Sequence, residues 1–276
     1  MFTLNCRGRL LVIDKPIIMG IINVTPDSFY ENSRVSADMI LNRAEQMLKD
    51  GASIIDIGGQ STRPGSIKIT SEEELKRVIE PVKTIHKYFP EAIISIDTYY
   101  ATVARECVEG GASIINDISA GKMDEAMIST VASLQAPYVL MHMKGTPQDM
   151  QQNISYENVT KEVLDFFIRE VALLQKSGIH DIIIDPGFGF GKTIEQNFAL
   201  LRNLSVFEML DHPLMIGLSR KSTIWKTLGI NAEESLNGTT TLHTVALMKG
   251  CQILRVHDIK EACETVKLID AMNRPV

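Results

Sequence analysis

Cysteine is scarce in this chain of 276 residues, and the four present (Cys6, Cys107, Cys251 and Cys263) form no closely spaced pair of the metal-binding kind. In a domain of this size they are expected as reduced core thiols, the pattern of a cytoplasmic protein. No apolar run is long enough to cross a bilayer, so no membrane partner is expected. The apolar start is interrupted by Arg9, Asp14 and Lys15 and shows no cleavage-site pattern, so it does not read as a secretion signal. A cationic surplus is also missing: 28 Lys and Arg against 34 Asp and Glu leave a net charge of −6. That balance excludes a broad nucleic-acid or anionic-membrane surface, while leaving room for a local basic pocket. Low-complexity tracts and linkers are absent too, and residues 1–276 read as one domain.

What the chain has in quantity is short runs of Ile and Val, eight of them, each ending on a residue able to do chemistry. Residues 17–22 run into Asn23, and 53–57 carry Asp56 into a loop with Gly58, Gly59, Ser61, Thr62, Arg63 and Pro64. Residues 93–96 stop at Asp97, 114–115 at Asn116 and Asp117, 136–141 at His142, and 182–184 at Asp185. Residues 214–218 reach Ser219, Arg220, Lys221 and Ser222, and 253–254 reach Arg255 and His257. Continuous apolar strands alternating with helices indicate a parallel sheet covered on both faces. Eight such units imply an α/β fold, a single (β/α)8 TIM barrel whose chemistry lies where the strands end.

Helical patterns follow the runs at 37–50, 72–87, 100–109, 124–133, 158–177, 193–203, 236–248 and 260–272. Ser71 and Glu74 have the spacing of a capping box, and Gly51, Gly178 and Gly250 stand where helices end on glycine. The first residues alternate and turn near Gly8, which predicts an N-terminal β-hairpin plugging the end of the barrel away from the chemistry. The irregular stretches 26–37, 58–70 and 219–234 follow strands and are candidate substrate loops.

The stretch from Asp185 to Thr193 superficially resembles a P-loop, but one residue is missing between its glycines and Pro186 stands where a glycine is required. It reads instead as an acceptor, Asp185, beside glycines that let a ligand approach backbone. Lys221 and Arg220 after the seventh run, with Arg255 and His257 after the eighth, occupy the ends where barrels hold phosphate. A helix starting at Ser222 would add free N–H groups. Together they predict an anionic ligand, a phosphate or diphosphate. Asp97, Asn116 and Asp185 face the same mouth and could bind Mg²⁺, act as bases, or accept from a flat heterocycle rich in N–H donors; spacing does not separate these. His142 reads as a packed histidine at the core edge, and Asp56 as a structural acceptor for loop backbone under Gly58 and Gly59.

Taken together, Asn23-Val24-Thr25-Pro26-Asp27-Ser28-Phe29, the loop from Asp56 to Gly65, Ser95-Ile96-Asp97-Thr98, Ile115-Asn116-Asp117, Leu140-Met141-His142-Met143, Asp185 to Lys192, Ser219 to Ser222 and Arg255 to Asp258 stand in the order of the dihydropteroate synthase blocks. The sequence resembles that family from about Pro16 to Ala271. The resemblance implies a pterin-binding barrel that displaces diphosphate from 6-hydroxymethyl-7,8-dihydropterin diphosphate with the amine of p-aminobenzoate, with Mg²⁺ as cofactor. It implies that Asp97, Asn116, Asp185 and Lys221 hold pterin, and that Asn23, Arg255 and His257 hold diphosphate, with Asn23 near the metal. It assigns Ser61, Thr62, Arg63, Pro64, Phe29, Phe190 and Ser222 to the p-aminobenzoate pocket, and it implies a homodimer through the outer helices. The sequence departs from the family at Gln60, where a Glu is usual, and at Tyr30-Glu31-Asn32-Ser33, which lacks the usual paired glycines.

Overall fold

The computed structural model describes residues 1–24, 33–61, 65–152 and 154–274, with backbone alone for 33–37. Strands β1 (Phe2–Cys6) and β2 (Arg9–Ile13) pair antiparallel around Arg7 and Gly8, whose positive φ of 56° and 83° give the tight turn its hand. Eight parallel strands follow: β3 (Ile17–Asn23), β4 (Ile54–Gly58), β5 (Ile93–Asp97), β6 (Ile114–Asp117), β7 (Tyr138–Met141), β8 (Ile182–Asp185), β9 (Met215–Ile216) and β10 (Ile253–Val256). They are ordered β8-β7-β6-β5-β4-β3-β10-β9, and a parallel bridge from Ile184 to Leu214 brings β8 to the start of β9, closing the barrel.

Alternation along each strand sorts the side chains. Ile17, Met19, Ile54, Ile93, Ile114, Val139, Ile183, Met215 and Ile253 cluster with Leu4, Cys6, Leu11 and Ile13, so the hairpin plugs the N-terminal end as expected. The intervening residues, such as Ile18, Ile55, Ile94, Ile115 and Ile184, join the layer beneath the helices. Two residues beyond the plugged layer, on the same inward parity, stand Asp56, Ser95, Asn116, Asp185 and Arg255, with Asp97 one step further along β5. The barrel is therefore apolar at one end and polar at the other because strand parity carries a change of residue type into its interior.

The helices are α1 (Ser33–Asp50), α2 (Ser71–Tyr88), α3 (Ala101–Glu109), α4 (Met127–Leu134), α5 (Val159–Lys176), α6 (Ile194–Arg202), α7 (Ser222–Leu228), α8 (Leu236–Met248) and α9 (Ile259–Asn273). The expected capping box at Ser71 and Glu74 is not formed. Thr70 caps α2, accepting from Glu73 N at 3.2 Å, while Glu74 turns inward and is buried. The capping box falls instead at Thr193 and Gln196 of α6. Helix α4 starts three residues later than its pattern, because the Asp124 carboxylate accepts from Ala101 N at 2.8 Å and Ala126 N at 3.0 Å. Gly51, Gly178 and Gly250 take φ of 106°, 84° and 86°, the left-handed turn that ends a helix. A 3₁₀ helix, Leu204–Leu210, was not predicted. All four cysteines are free thiols. Among the described residues no helix is long and apolar enough to cross a membrane.

Candidate active site

The polar end of the barrel is organised by Arg255, the third residue of β10. Its Nε donates to Asp56 Oδ2 at 2.7 Å and its Nη2 to Asp97 Oδ2 at 2.5 Å, while Asn116 Nδ2 donates to Asp56 Oδ2 at 3.1 Å. Asp56 is thus a member of the site. The expectation that it bonds loop backbone under Gly58 and Gly59 fails because Asp56 has the inward parity of Ile54. Its second oxygen, Oδ1, is buried with no hydrogen-bond partner among the described residues. Burial pushes the Asp97 carboxyl up to about 7, against the pull of Arg255 and with the push of Asp56. Burial also works against the Arg255 charge, but Asp56 and Asp97 outweigh it and hold the guanidinium firmly protonated.

Asp185, at the end of β8, is buried, and its Oδ1 accepts from Gly187 N at 2.8 Å. Burial raises its pKa, while Lys221, the Gly187 N–H, Arg255 and Lys192 oppose the rise. Lys221 follows β9; burial lowers its pKa to about 8, with Asp185 opposing and Arg255 reinforcing the change. The two cations and the three acceptors therefore feel one another across a single mouth. Lys221 Nζ donates to Phe188 O and lies 4.6 Å over the half-buried ring of Phe190. Phe190 in turn packs against Tyr99, Ile118 and Met141, an apolar wall beside the acceptors.

His257 is tied to the end of β9: Ser219 Oγ lies 3.0 Å from its Nδ1 and accepts from its backbone N at 3.2 Å. Arg220, with φ of 55°, forks onto Asp258 at 2.9 and 2.7 Å, binding the same two strand ends together. Ser222 is the first residue of α7, as expected of a helix start there. Asn23 is exposed at the tip of β3, in register with Gly58 of β4. Ser61 O accepts from Ser66 Oγ at 2.6 Å within the loop after β4. Phe29, Thr62, Arg63 and Pro64, and the departure at Tyr30, Glu31 and Asn32, lie outside the described residues.

Other polar groups at the strand ends do not face the mouth. His142 has the opposite parity to Met141 and packs edge-on to Phe166 of α5, ring centres 4.9 Å apart, which agrees with its reading as a packed histidine. Asp117 accepts from Tyr138 Oη, Ser119 N and Gly121 N, each at 2.7 Å, and serves its own loop. Gln60 is buried; its Nε2 donates to Tyr99 Oη and its Oε1 accepts from Ile69 N at 3.1 Å. Sequence reasoning missed Lys192 and Tyr99. Lys192 ended a Gly-rich block whose carbonyls were the only signal, and Tyr99 followed the Asp97-Thr98 block with nothing to mark it. Among the described residues no group of three His, Cys, Asp or Glu side chains could hold a metal by itself.

A closed (β/α)8 barrel with a slot of carboxylate and amide acceptors facing two cations is the architecture of pterin-binding enzymes, and residues 19–257 match the pterin binding enzyme family. Within it, the chain is 41% identical over 274 residues to the dihydropteroate synthase of Escherichia coli (strain K12), covering 97% of this chain and 95% of that protein. It is 40% identical over 271 residues to that of Haemophilus influenzae, covering 97% of this chain and 98% of that protein. The Yersinia pestis dihydropteroate synthase, solved with a sulfonamide drug, superposes with a TM-score of 0.92 at 37% identity over 98% of this chain and 99% of that one. The Xanthomonas albilineans enzyme in complex with 7,8-dihydropteroate gives 0.89 at 33% identity over 99% and 100%. The chain belongs to the dihydropteroate synthase family.

Proposed function

We propose that this chain condenses 6-hydroxymethyl-7,8-dihydropterin diphosphate with p-aminobenzoate, releasing diphosphate and 7,8-dihydropteroate, a step of folate biosynthesis. The observation that carries the reading is the polar barrel end in which Arg255 bonds Asp56 and Asp97, Asn116 bonds Asp56, and the charges of Lys221 and Arg255 act on Asp185. A dihydropterin is flat, with N–H donors along one edge, and every buried donor needs an acceptor. Asp185 is suited to the 2-amino/N3 edge, with Asp97 and Asn116 beside it and Lys221 capping the ring system. Asn23, Arg255 and His257 receive the diphosphate. Phe190 and Ser222, with Ser61, Thr62, Arg63, Pro64 and Phe29, shape the p-aminobenzoate pocket.

The chemistry asks the protein for positioning and charge, not for a strong base. The C–O bond at the 6-methylene breaks, its electron pair leaves with diphosphate, and the electron-rich dihydropterin spreads the resulting cation. The neutral arylamine then forms the C–N bond and gives up a proton. Arg255 is already oriented by Asp56, so its guanidinium meets the leaving group with little reorganisation.

Asn23 offers one neutral oxygen, and the described residues build no acidic cage. That fits a cation bound mainly by diphosphate oxygens and water, with a single protein ligand. When bound, Mg²⁺ would neutralise the departing diphosphate.

Neighbouring helices α7, α8 and α9 leave Leu228, Met248, Leu268 and Met272 more than half exposed. These apolar side chains support a homodimer through the outer helices. The free thiols support a reducing, cytoplasmic setting. Calorimetry with 6-hydroxymethylpterin, run beside a turnover assay, tests the whole reading. Binding with dihydropteroate formation is expected; binding without turnover would make the chain a pterin-binding paralogue.

A further inference from the structure

Among the described residues, Lys192 is a buried cation with no part in the proposed condensation. It is 3% exposed, and its Nζ has four partners: His142 Nδ1 at 2.9 Å, His142 O at 3.2 Å, Gly187 O at 3.0 Å and Phe190 O at 3.0 Å. An ammonium is costly to bury, and burial lowers the Lys192 pKa to about 7; Asp185 opposes the fall, and the cage of carbonyls and one ring nitrogen supplies acceptors for its N–H groups. Burial, followed by the nearby Lys192 charge, drives the His142 pKa down to about 2, so its ring stays neutral and its Nδ1 can accept.

The cage belongs to the loop that carries the pterin acceptor. Gly187, Gly189 and Gly191 all have left-handed φ, of 68°, 82° and 59°, and a Cβ on Gly187 would stand 2.0 Å from His142 O. The loop is therefore wound against the end of β7 in a form open to glycine, and its carbonyls turn inward onto Nζ. From the same loop, Gly187 N holds Asp185 Oδ1, Phe190 N returns to Gly187 O at 3.1 Å, and Phe190 lies under Lys221. Removing the ammonium would take a donor from His142 O and Phe190 O, while Gly187 O would keep only Phe190 N.

The geometry points to Lys192 as a positioning residue for the pterin: its ammonium is the hub of loop 186–192, and through Gly187 and Phe190 it sets where Asp185 and Lys221 meet the ring. This rests on the proposed role of Asp185 in pterin binding.

Lys192→Met fills the side-chain volume without the ammonium. Steady-state kinetics, thermal unfolding and calorimetry with 6-hydroxymethylpterin are measured on parent and variant. The expected result is a KM for pterin diphosphate at least tenfold higher, kcat at saturation within threefold of parent, and pterin affinity at least tenfold weaker. A lysine serving stability alone would lower Tm and leave KM and pterin affinity unchanged; that result overturns the inference. His142→Phe fills the imidazole site against Phe166 and removes one acceptor from the cage, so it decides the matter if Lys192→Met does not fold. A KM raised threefold or more supports the hub, and an unchanged KM overturns it. Failure of the parent to bind 6-hydroxymethylpterin would instead remove the role given to Asp185.

Discussion

Arg255 Nε meets Asp56 Oδ2 at 2.7 Å, a bond between residues 199 apart in sequence that joins β10 to β4 across the interior of the barrel. Asp56 is fully buried, and its neighbour Asp97 shares the same guanidinium. Arg255→Ala therefore strands two carboxylates, and removing one partner of a buried pair costs about 3–5 kcal/mol. Urea unfolding is expected to show that loss together with loss of turnover. Arg255→Lys is expected to restore little, because an ammonium lacks the fork that spans both carboxylates. Full activity in Arg255→Lys would contradict the bridging role.

Asp185→Asn is expected to weaken 6-hydroxymethylpterin binding by about 3 kcal/mol, the scale of lost hydrogen bonds to a charged group, or roughly a hundredfold. The amide oxygen can still accept from Gly187 N, so the fold is expected to hold. Calorimetry on a variant with near-parental Tm separates these effects; unchanged affinity would remove Asp185 from the pterin site.

Lys221 gives a pH dependence of opposite sign for activity and for stability. Its folded pKa of about 8 lies below its ordinary value of 10.5 because burial disfavours the ammonium. Below pH 8 both folded and unfolded chains carry the proton. Between about 8 and 10.5 the unfolded chain holds more of it, so this group's contribution to stability rises with pH. Activity is expected to fall over the same window, because the free enzyme loses the cation proposed to face the pterin. A kcat/KM profile should show a basic limb near 8, moved upward in Lys221→Arg. A flat profile up to pH 9.5 with normal unfolding would refute the role of the ammonium.

The proposed homodimer is expected to break when the exposed apolar face of α9 is charged. Leu268→Glu with Met272→Glu places two carboxylates one turn apart on the exposed face of α9. Sedimentation velocity is expected to report a dimer for the parent and a monomer for the variant. A parent that sediments as a monomer would end the proposal.

Much of this architecture was legible in the sequence because buried parallel strands are continuous apolar runs, and each run stops where the polar end of the barrel begins. Asp97, Asn116, Asp185, Lys221 and Arg255 therefore fall at one end of the barrel by their place at the ends of these runs. The partner of Asp56 was not legible, since β3 separates β4 from β10 in the sheet and only barrel curvature brings Arg255 across. Thr70 took the cap assigned to Ser71 because Glu74 is drawn inward, a tertiary preference that overrides local spacing. Lys192 escaped notice because its partners are backbone carbonyls, which carry no residue signature. The packing of His142 on Phe166 follows from strand parity, which turns it away from the mouth.

The most direct test is diphosphate release from the purified protein given dihydropterin diphosphate, Mg²⁺ and p-aminobenzoate, with each omitted in turn. The expected result is release that requires all three, with one dihydropteroate formed per diphosphate. Tight pterin binding without release under the complete mixture would contradict the synthase reading.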